Sequence, residues 1–217
     1  MFANGIDIKK FNATVSKKLI QPSKIDKDEI SKSITIKILF EGKTRDEIYE
    51  NISKFNELFL DEATIKFKNL SNYFKGKIRD SSIEDTELDE WLYLNIEFEC
   101  KAFGSEIIES LNRVNTKTIN VLGTYKTEAI VEITPSIDLI DLTINGLAND
   151  PIIIRNLKQG KKIIIDGKEG TILEEGVNKF KDTEDFWEFP FLMPGNNEII
   201  LSKNSCDVTI RYEPRYL

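Results

Sequence analysis

Apolar and polar residues alternate strictly over 33–40, where Ile34, Ile36, Ile38 and Phe40 face one way and Thr35 and Lys37 the other. Period-two alternation marks a half-buried strand. The clearest case is 92–100, with Leu92, Leu94, Ile96, Phe98 and Cys100 on one face and Tyr93, Asn95, Glu97 and Glu99 on the other. Between these strands the period changes. Thr44-x-x-Glu47 is a capping box, and Ile48, Ile52, Phe55 and Phe59 recur at helical spacing. Residues 63–74 predict a strand with Ile65 and Phe67 inward, 76–83 continue it, and 81–90 read as an acidic turn. Asn4-Gly5 favours positive φ and marks a tight turn within 2–8. The first hundred residues therefore predict a small antiparallel sheet with one helix packed on it.

Residues 17–32 break the alternation. Lysines and carboxylates there surround only Leu19, Ile20, Ile25 and Ile30, so the stretch reads as an extended, solvated segment, long for a loop without a role. Four aliphatic side chains bury too little surface to offset an ordering cost of roughly 1–2 kcal/mol per residue. The segment is thus expected to be held from outside its own domain, with Leu19, Ile20 and Ile25 as anchors.

The second half differs. Residues 105–114 read as one or two helical turns. Beyond Gly123 come short strands at 128–134, 139–144, 151–155, 162–166, 171–173, 198–201 and 207–212. Turn residues at Asn145-Gly146, Asp150-Pro151, Asp166-Gly167 and Pro194-Gly195-Asn196 separate them, the pattern of an all-β sandwich. The fold class is mostly β, with a first domain over 1–104, a linker over 105–122 and a sandwich over 123–217.

Composition narrows the chemistry. The 217 residues carry 30 Lys+Arg against 37 Asp+Glu. Neither side of Gly104 is basic, so nucleic-acid specificity is not expected. There is no histidine, which removes His-dependent triads and imidazole metal sites. Cys100 and Cys206 lie in alternating runs and read as buried small apolar side chains. No apolar stretch approaches the length of a bilayer span, and the N-terminus has no secretory pattern, so synthesis in a cytoplasm without a membrane anchor is expected. Glu41-Gly42-Lys43-Thr44 sits between strand and helix, but Lys37 stands where a phosphate loop needs its first glycine. The carboxylates Asp138, Asp141 and 182–185 match no calcium loop and read as solvated turns. The aromatic run Phe186-Trp187-Glu188-Phe189-Pro190-Phe191 could stack on sugars, but is read as filling the sandwich core. No cofactor, metal or catalytic residue is expected; the chain reads as a non-enzyme.

These motifs in order resemble the distal tail proteins of long-tailed phages that infect Gram-positive bacteria. The opening Phe2-Ala3-Asn4-Gly5-Ile6-Asp7, the irregular arm, the alternating strand, the capped helix and Ala63-Thr64-Ile65-Lys66-Phe67 are similar to that family's first domain. The most specific part is the close: Phe189-Pro190-Phe191-Leu192-Met193-Pro194-Gly195-Asn196-Asn197, then Arg211-Tyr212-Glu213-Pro214-Arg215-Tyr216-Leu217. The resemblance implies a virion structural protein at the tail tip. Its first domain would close a hexameric ring, and its second would be a galectin-like sandwich. Implied partners are further copies of the chain, the tail tube protein and the tail-tip hub or tail-associated lysin, with the tape-measure protein as a further neighbour. In such a ring the arm residues Leu19, Ile20 and Ile25 would reach the adjacent subunit. Segment 208–217 would dock between the domains, with Arg211 and Arg215 pairing carboxylates at the seam. The competing class is a carbohydrate-binding module, against which stands the missing histidine on which galectin-type sites lean.

Overall fold

The computed structural model describes residues 1–22, 24–26 and 29–217, with side chains for all of these but 25, 26, 29 and 30. The chain forms two compact units. The first comprises residues 1–104 together with Tyr216 and Leu217, the second residues 105–215.

The first unit contains β1 (Phe2–Ala3), β2 (Ile6–Asp7), β3 (Ala13–Ile20), β4 (Lys24–Asp26), β5 (Glu29–Glu41), helix α1 (Arg45–Asn56), β6 (Ala63–Lys66), β7 (Tyr73–Asp85) and β8 (Trp91–Phe103). Its antiparallel sheet runs β2-β1-β6-β7-β8-β5-β3, with β4 added to β5. The alternation seen in the sequence becomes the core: Ile34, Ile36, Ile38, Phe40, Leu92, Leu94, Ile96 and Phe98 are all buried. Helix α1 starts as the capping box requires. Thr44 Oγ1 accepts from Glu47 N at 3.3 Å, and the Glu47 carboxylate reaches back to Lys43 N at 2.9 Å. Ile48, Ile52 and Phe55 are the helix residues that enter the core. Phe55 is its hub, with Phe40 at 5.6 Å and Phe11 at 6.0 Å edge-on and Phe59 at 5.0 Å.

Three sequence expectations for this unit are corrected. The described residues of 17–32 are not an unpaired segment: β3 pairs with β5 from Ala13↔Phe40 to Ile20↔Ile34, and β4 pairs with β5 as well; residues 23, 27 and 28 of that stretch lie outside the described residues. A bulge between Val15 and Lys17 shifts the register, and a bulge destroys period-two alternation in the strand that carries it. Next, β7 does not turn at 81 but runs to Asp85, its acidic residues being strand positions opposite Leu92 to Glu97 of β8. Finally, 63–74 is interrupted, because a turn at 67–72 separates β6 from β7.

The second unit contains β9 (Ile107–Asn112), β10 (Thr116–Val121), β11 (Thr127–Pro135), β12 (Leu139–Asn145), β13 (Ile152–Leu157), β14 (Ile163–Asp166), β15 (Thr171–Glu174), β16 (Val177–Asn178), β17 (Thr183–Glu184), β18 (Phe191–Leu192), β19 (Gly195–Leu201) and β20 (Cys206–Tyr212). One sheet runs β10-β19-β12-β13-β17. The other runs β16-β15-β14-β11-β20-β9, with β18 on β11. The inward faces of both sheets supply one core. Val121, Leu142, Ile154 and Leu201 come from the first sheet, and Val131, Ile165, Val208 and Tyr212 from the second.

Seven of the sandwich strands lie where the turn signals set them, although β19 already starts at Gly195 inside the expected turn and the short β16, β17 and β18 were not foreseen. The expected linker is different: 105–122 supplies β9 and β10, the first paired along β20 and the second along β19. Ile107, Ile108 and Leu111 mimic helical spacing, yet only Leu111 is buried and Ile108 is exposed, as a strand with one inward face requires.

Candidate interaction surfaces

The residues singled out by the opening and closing motifs hold turns and strand ends. Asn4 takes φ 47° and Gly5 φ 79° between β1 and β2. Asn4 Nδ2 donates to Leu58 O at 2.7 Å, and its Oδ1 accepts from Thr64 N at 2.7 Å. One amide thus ties the first turn to the stretch after α1. Asn197 does the same for the Pro194-Gly195 turn: its Oδ1 accepts from Met193 N at 2.9 Å, and its Nδ2 donates to Met193 O at 2.7 Å. Gly195 sits at φ 92°, a conformation that side chains disfavour. Phe189 packs edge-on to Phe186 at 4.9 Å. Pro190 is buried, and its carbonyl accepts from Ala129 N at 2.9 Å.

In the closing segment Tyr212 and Pro214 are buried. Arg211 pairs with Glu132 at 2.7 Å, while Arg215 pairs with Glu128 at 3.0 Å and lies over the Tyr125 ring. These pairs are internal to the second unit, whereas the sequence reading set the arginines at a domain seam. The cause is register: Arg211 stands opposite Ile130 of β11, so its side chain meets Glu132 one position along the same face.

Glu132 also accepts from Lys162 at 2.8 Å, and this bond, helped by Arg211, holds its carboxyl below the ordinary glutamate value of 4.5. A depressed native pKa contributes stability that is whole above the unfolded value and is lost as pH falls through the native one. Replacing Glu132 with glutamine should therefore flatten the acid side of the second unit's stability profile. Chemical denaturation at about pH 6 and about pH 3 is the check. The wild type should lose more stability over that interval than Glu132→Gln, and equal losses would contradict the assignment.

The acidic clusters are ion-paired while staying largely at the surface. Asp138 pairs with Lys158 and Asp141 with Lys203. Asp182 and Glu174 flank Lys179, a lysine the sequence reading passed over; its side chain is buried and also donates to Asn156 O at 3.0 Å. Only its position one residue before an aromatic could have hinted at burial. In the aromatic run Phe186 and Phe189 pack on the core, but Trp187 is 75% exposed. Both cysteines are buried, and desolvation pushes the Cys100 thiol up to about 12. Among the described residues no three Cys, Asp or Glu converge on a metal position, and no helix is long and apolar enough to cross a membrane.

The surface that no motif announced is the rim of the first sheet. β6 pairs with β7 only from Tyr73 to Gly76, so beyond Gly76 β7 has β8 on one side and, among the described residues, no strand on the other. Every residue of 79–85 is exposed, on both faces of the strand. At the other side of the ribbon, among the described residues, β3 pairs only with β5. Of the proposed arm residues, Leu19 is 55% exposed on β3 and Ile20 packs partly on the core; the side chain of Ile25 lies outside the described residues.

Comparison with known proteins finds likeness to components of phage tails. Residues 122–216 match the family of siphovirus-type tail components, C-terminal domain. The whole chain shares the fold of the SPP1 Dit protein, described as a paradigm of the hub adsorption apparatus in phages infecting Gram-positive bacteria. That match has a TM-score of 0.76 at 11% identity, covering 99% of this chain and 98% of that one. Chains of the phage p2 baseplate in its activated conformation, with calcium and with strontium, match at TM-scores of 0.52 and 0.51. Both are 13% identical; they cover 96% and 94% of this chain and 92% of each of those. No curated protein matches. The resemblance to the distal tail proteins of phages of Gram-positive bacteria is thus met in the sequence of the second unit and in the fold of the whole chain.

Proposed function

We propose that the chain is the distal tail hub of a virion, six copies closing through their first units into a ring that joins the tail tube to the tail-tip hub. The observation that carries this is the pair of open edges on one sheet. A long strand edge with no cover is a template for pairing with another chain. Among the described residues the ribbon β7-β8-β5-β3 ends in two such edges, which differ from each other. A head-to-tail contact between unlike edges makes a closed ring when its rotation closes. Charge favours the match over part of its length: β3 carries Lys17 and Lys18 and no carboxylate, while residues 80–85 of β7, beyond Lys77 and Arg79, carry Asp80, Glu84 and Asp85 and no cation. Leu19, exposed on β3, would meet the neighbour, which retains the arm idea in the form of a strand. The second unit is a scaffold on this reading.

Light scattering of the purified chain over a micromolar concentration series tests the edges. Lys17→Glu should need at least about tenfold more protein to reach the ring's mass, the equivalent of about 1.4 kcal/mol per assembled contact. Equal masses for wild type and variant at every concentration would count against the edges as the contact. The exposed Trp187 is the one observation favouring a glycan-binding second unit. Calorimetry with cell-wall polysaccharide decides that: saturable binding at millimolar concentration or better, lost in Trp187→Ala, would make this unit a binding module.

A further inference from the structure

One side-chain contact in the first unit is impossible in a flat sheet. β3 and β6 stand four strand positions apart, with β7, β8 and β5 between them. At the usual strand spacing that is roughly 19 Å, beyond what one lysine side chain spans. Yet Lys18 Nζ of β3 donates to Asn69 Oδ1 at 2.7 Å and lies 4.1 Å from the centre of the Phe67 ring. Both partners lie in the turn that follows β6. The ribbon is therefore rolled, and Lys18 reaches across the roll.

Each end of this strut is fixed. Lys18 stands opposite the buried Ile36, so its stem leaves β3 on the core side, while Lys17 stays exposed. An ammonium on that side needs a polar or aromatic partner, which Asn69 and the Phe67 ring supply. Phe67 is buried and packs edge-on to Phe74 at 6.0 Å. Leu70 N closes the turn onto Phe67 O at 3.2 Å, and Lys68 ties the same turn to Asp7 of β2 at 3.1 Å. No other side chain of β3 has a polar partner among the described residues.

The strut crosses the strands whose two outer edges form the proposed ring contact. Backbone pairing alone leaves their curvature adjustable, since neighbouring strands turn by anything from about 10° to about 35°. In a head-to-tail ring the turn from one copy to the next decides how many copies close it. Six copies need about 60° and seven about 51°, so a flattening of under ~10° adds a subunit.

We propose that Lys18, held by Asn69 and Phe67, is the positioning residue that sets the roll of the first unit and thereby the copy number of the ring. The proposal rests on the ring reading. Lys17, facing outward, is left for the contact itself. Loosening the strut flattens the ribbon, so the error runs one way, toward larger rings and unclosed chains.

Native mass spectrometry of the purified full chain over a concentration series reads copy number and extent of assembly separately. The wild type should give a single ring size. Asn69 is exposed and lies on neither edge, so Asn69→Ala leaves the contact untouched. It should add larger rings or unclosed chains, while the concentration at half assembly stays within about twofold of the wild type's. Lys18→Gln should spread the sizes in the same way. Lys18→Arg should restore the single size, since a guanidinium still stacks on Phe67 and still donates to Asn69. Lys17→Glu should do the reverse, weakening assembly at unchanged copy number. The proposal is overturned if Asn69→Ala and Lys18→Gln both keep the single wild-type size, or if they lose assembly with no change in copy number. A wild-type chain that forms no ring at any concentration would instead overturn the ring reading, and this proposal with it.

Discussion

Replacing Phe55 with alanine is expected to remove about 3–5 kcal/mol from the first unit, the cost of truncating a fully buried phenylalanine. Phe55 is 0% exposed and is the ring through which Phe11, Phe40 and Phe59 meet. These partners are anchored in the 3-10 turn before β3, in β5 and after α1, so they cannot all collapse into the space left behind. The loss is a large share of the ~5–15 kcal/mol that holds a typical protein folded. Because each unit has its own core, calorimetry should show one transition lowered and the other kept near its wild-type temperature. Two transitions lowered equally would contradict separate cores.

The second large effect is expected at Gly76, where β7 leaves β6 and becomes a free edge. A Cβ built there would lie 1.9 Å from Glu99 O and 2.6 Å from Cys100 Cα. Both neighbours are backbone atoms of β8, so no side-chain rotation relieves the clash. Gly76 and Cys100 are register partners, so relief means parting β7 from β8 at the point that sets the register of the whole hairpin. Gly76→Ala should cost at least the upper end of the ~1–3 kcal/mol typical of overpacking, and Gly76→Val should leave the first unit unfolded. Tryptophan fluorescence reads this through Trp91 in the same hairpin, with Trp187→Phe as the parent so that Trp91 is the sole tryptophan. A Gly76→Ala protein as stable as its parent would refute the close approach.

The core strands were legible in the sequence because burial on one face imposes a two-residue period, as at 33–40 and 92–100. The helix was legible because Thr44 and Glu47 satisfy its first amides locally. The sandwich strands were legible because Asn-Gly, Asp-Gly and Pro-Gly turns separate them. What was missed depends on pairing across space. The bulge after Val15 scrambles alternation in β3 and hid a strand inside an apparent loop. Spacing at Ile107, Ile108 and Leu111 suits a helix and a strand alike, and only pairing with β20 decides between them. The arginines of the closing motif were recognised, but their partners Glu128 and Glu132 follow from the β11–β20 register, which one sequence does not contain. The open edges leave no local signature: a strand reads the same whether or not a neighbour covers its far side, and the acidic residues of β7 resemble those of a turn.

Cryo-electron microscopy of intact tails tests the ring most directly. The account predicts one six-fold ring of this chain at the distal end of the tube, with β3 of each copy lying along residues 77–85 of the next. A ring of other symmetry with the same edge pairing would correct the copy number alone. A tail in which this chain is absent from the ring, or in which its first units meet without using either edge, would contradict the account.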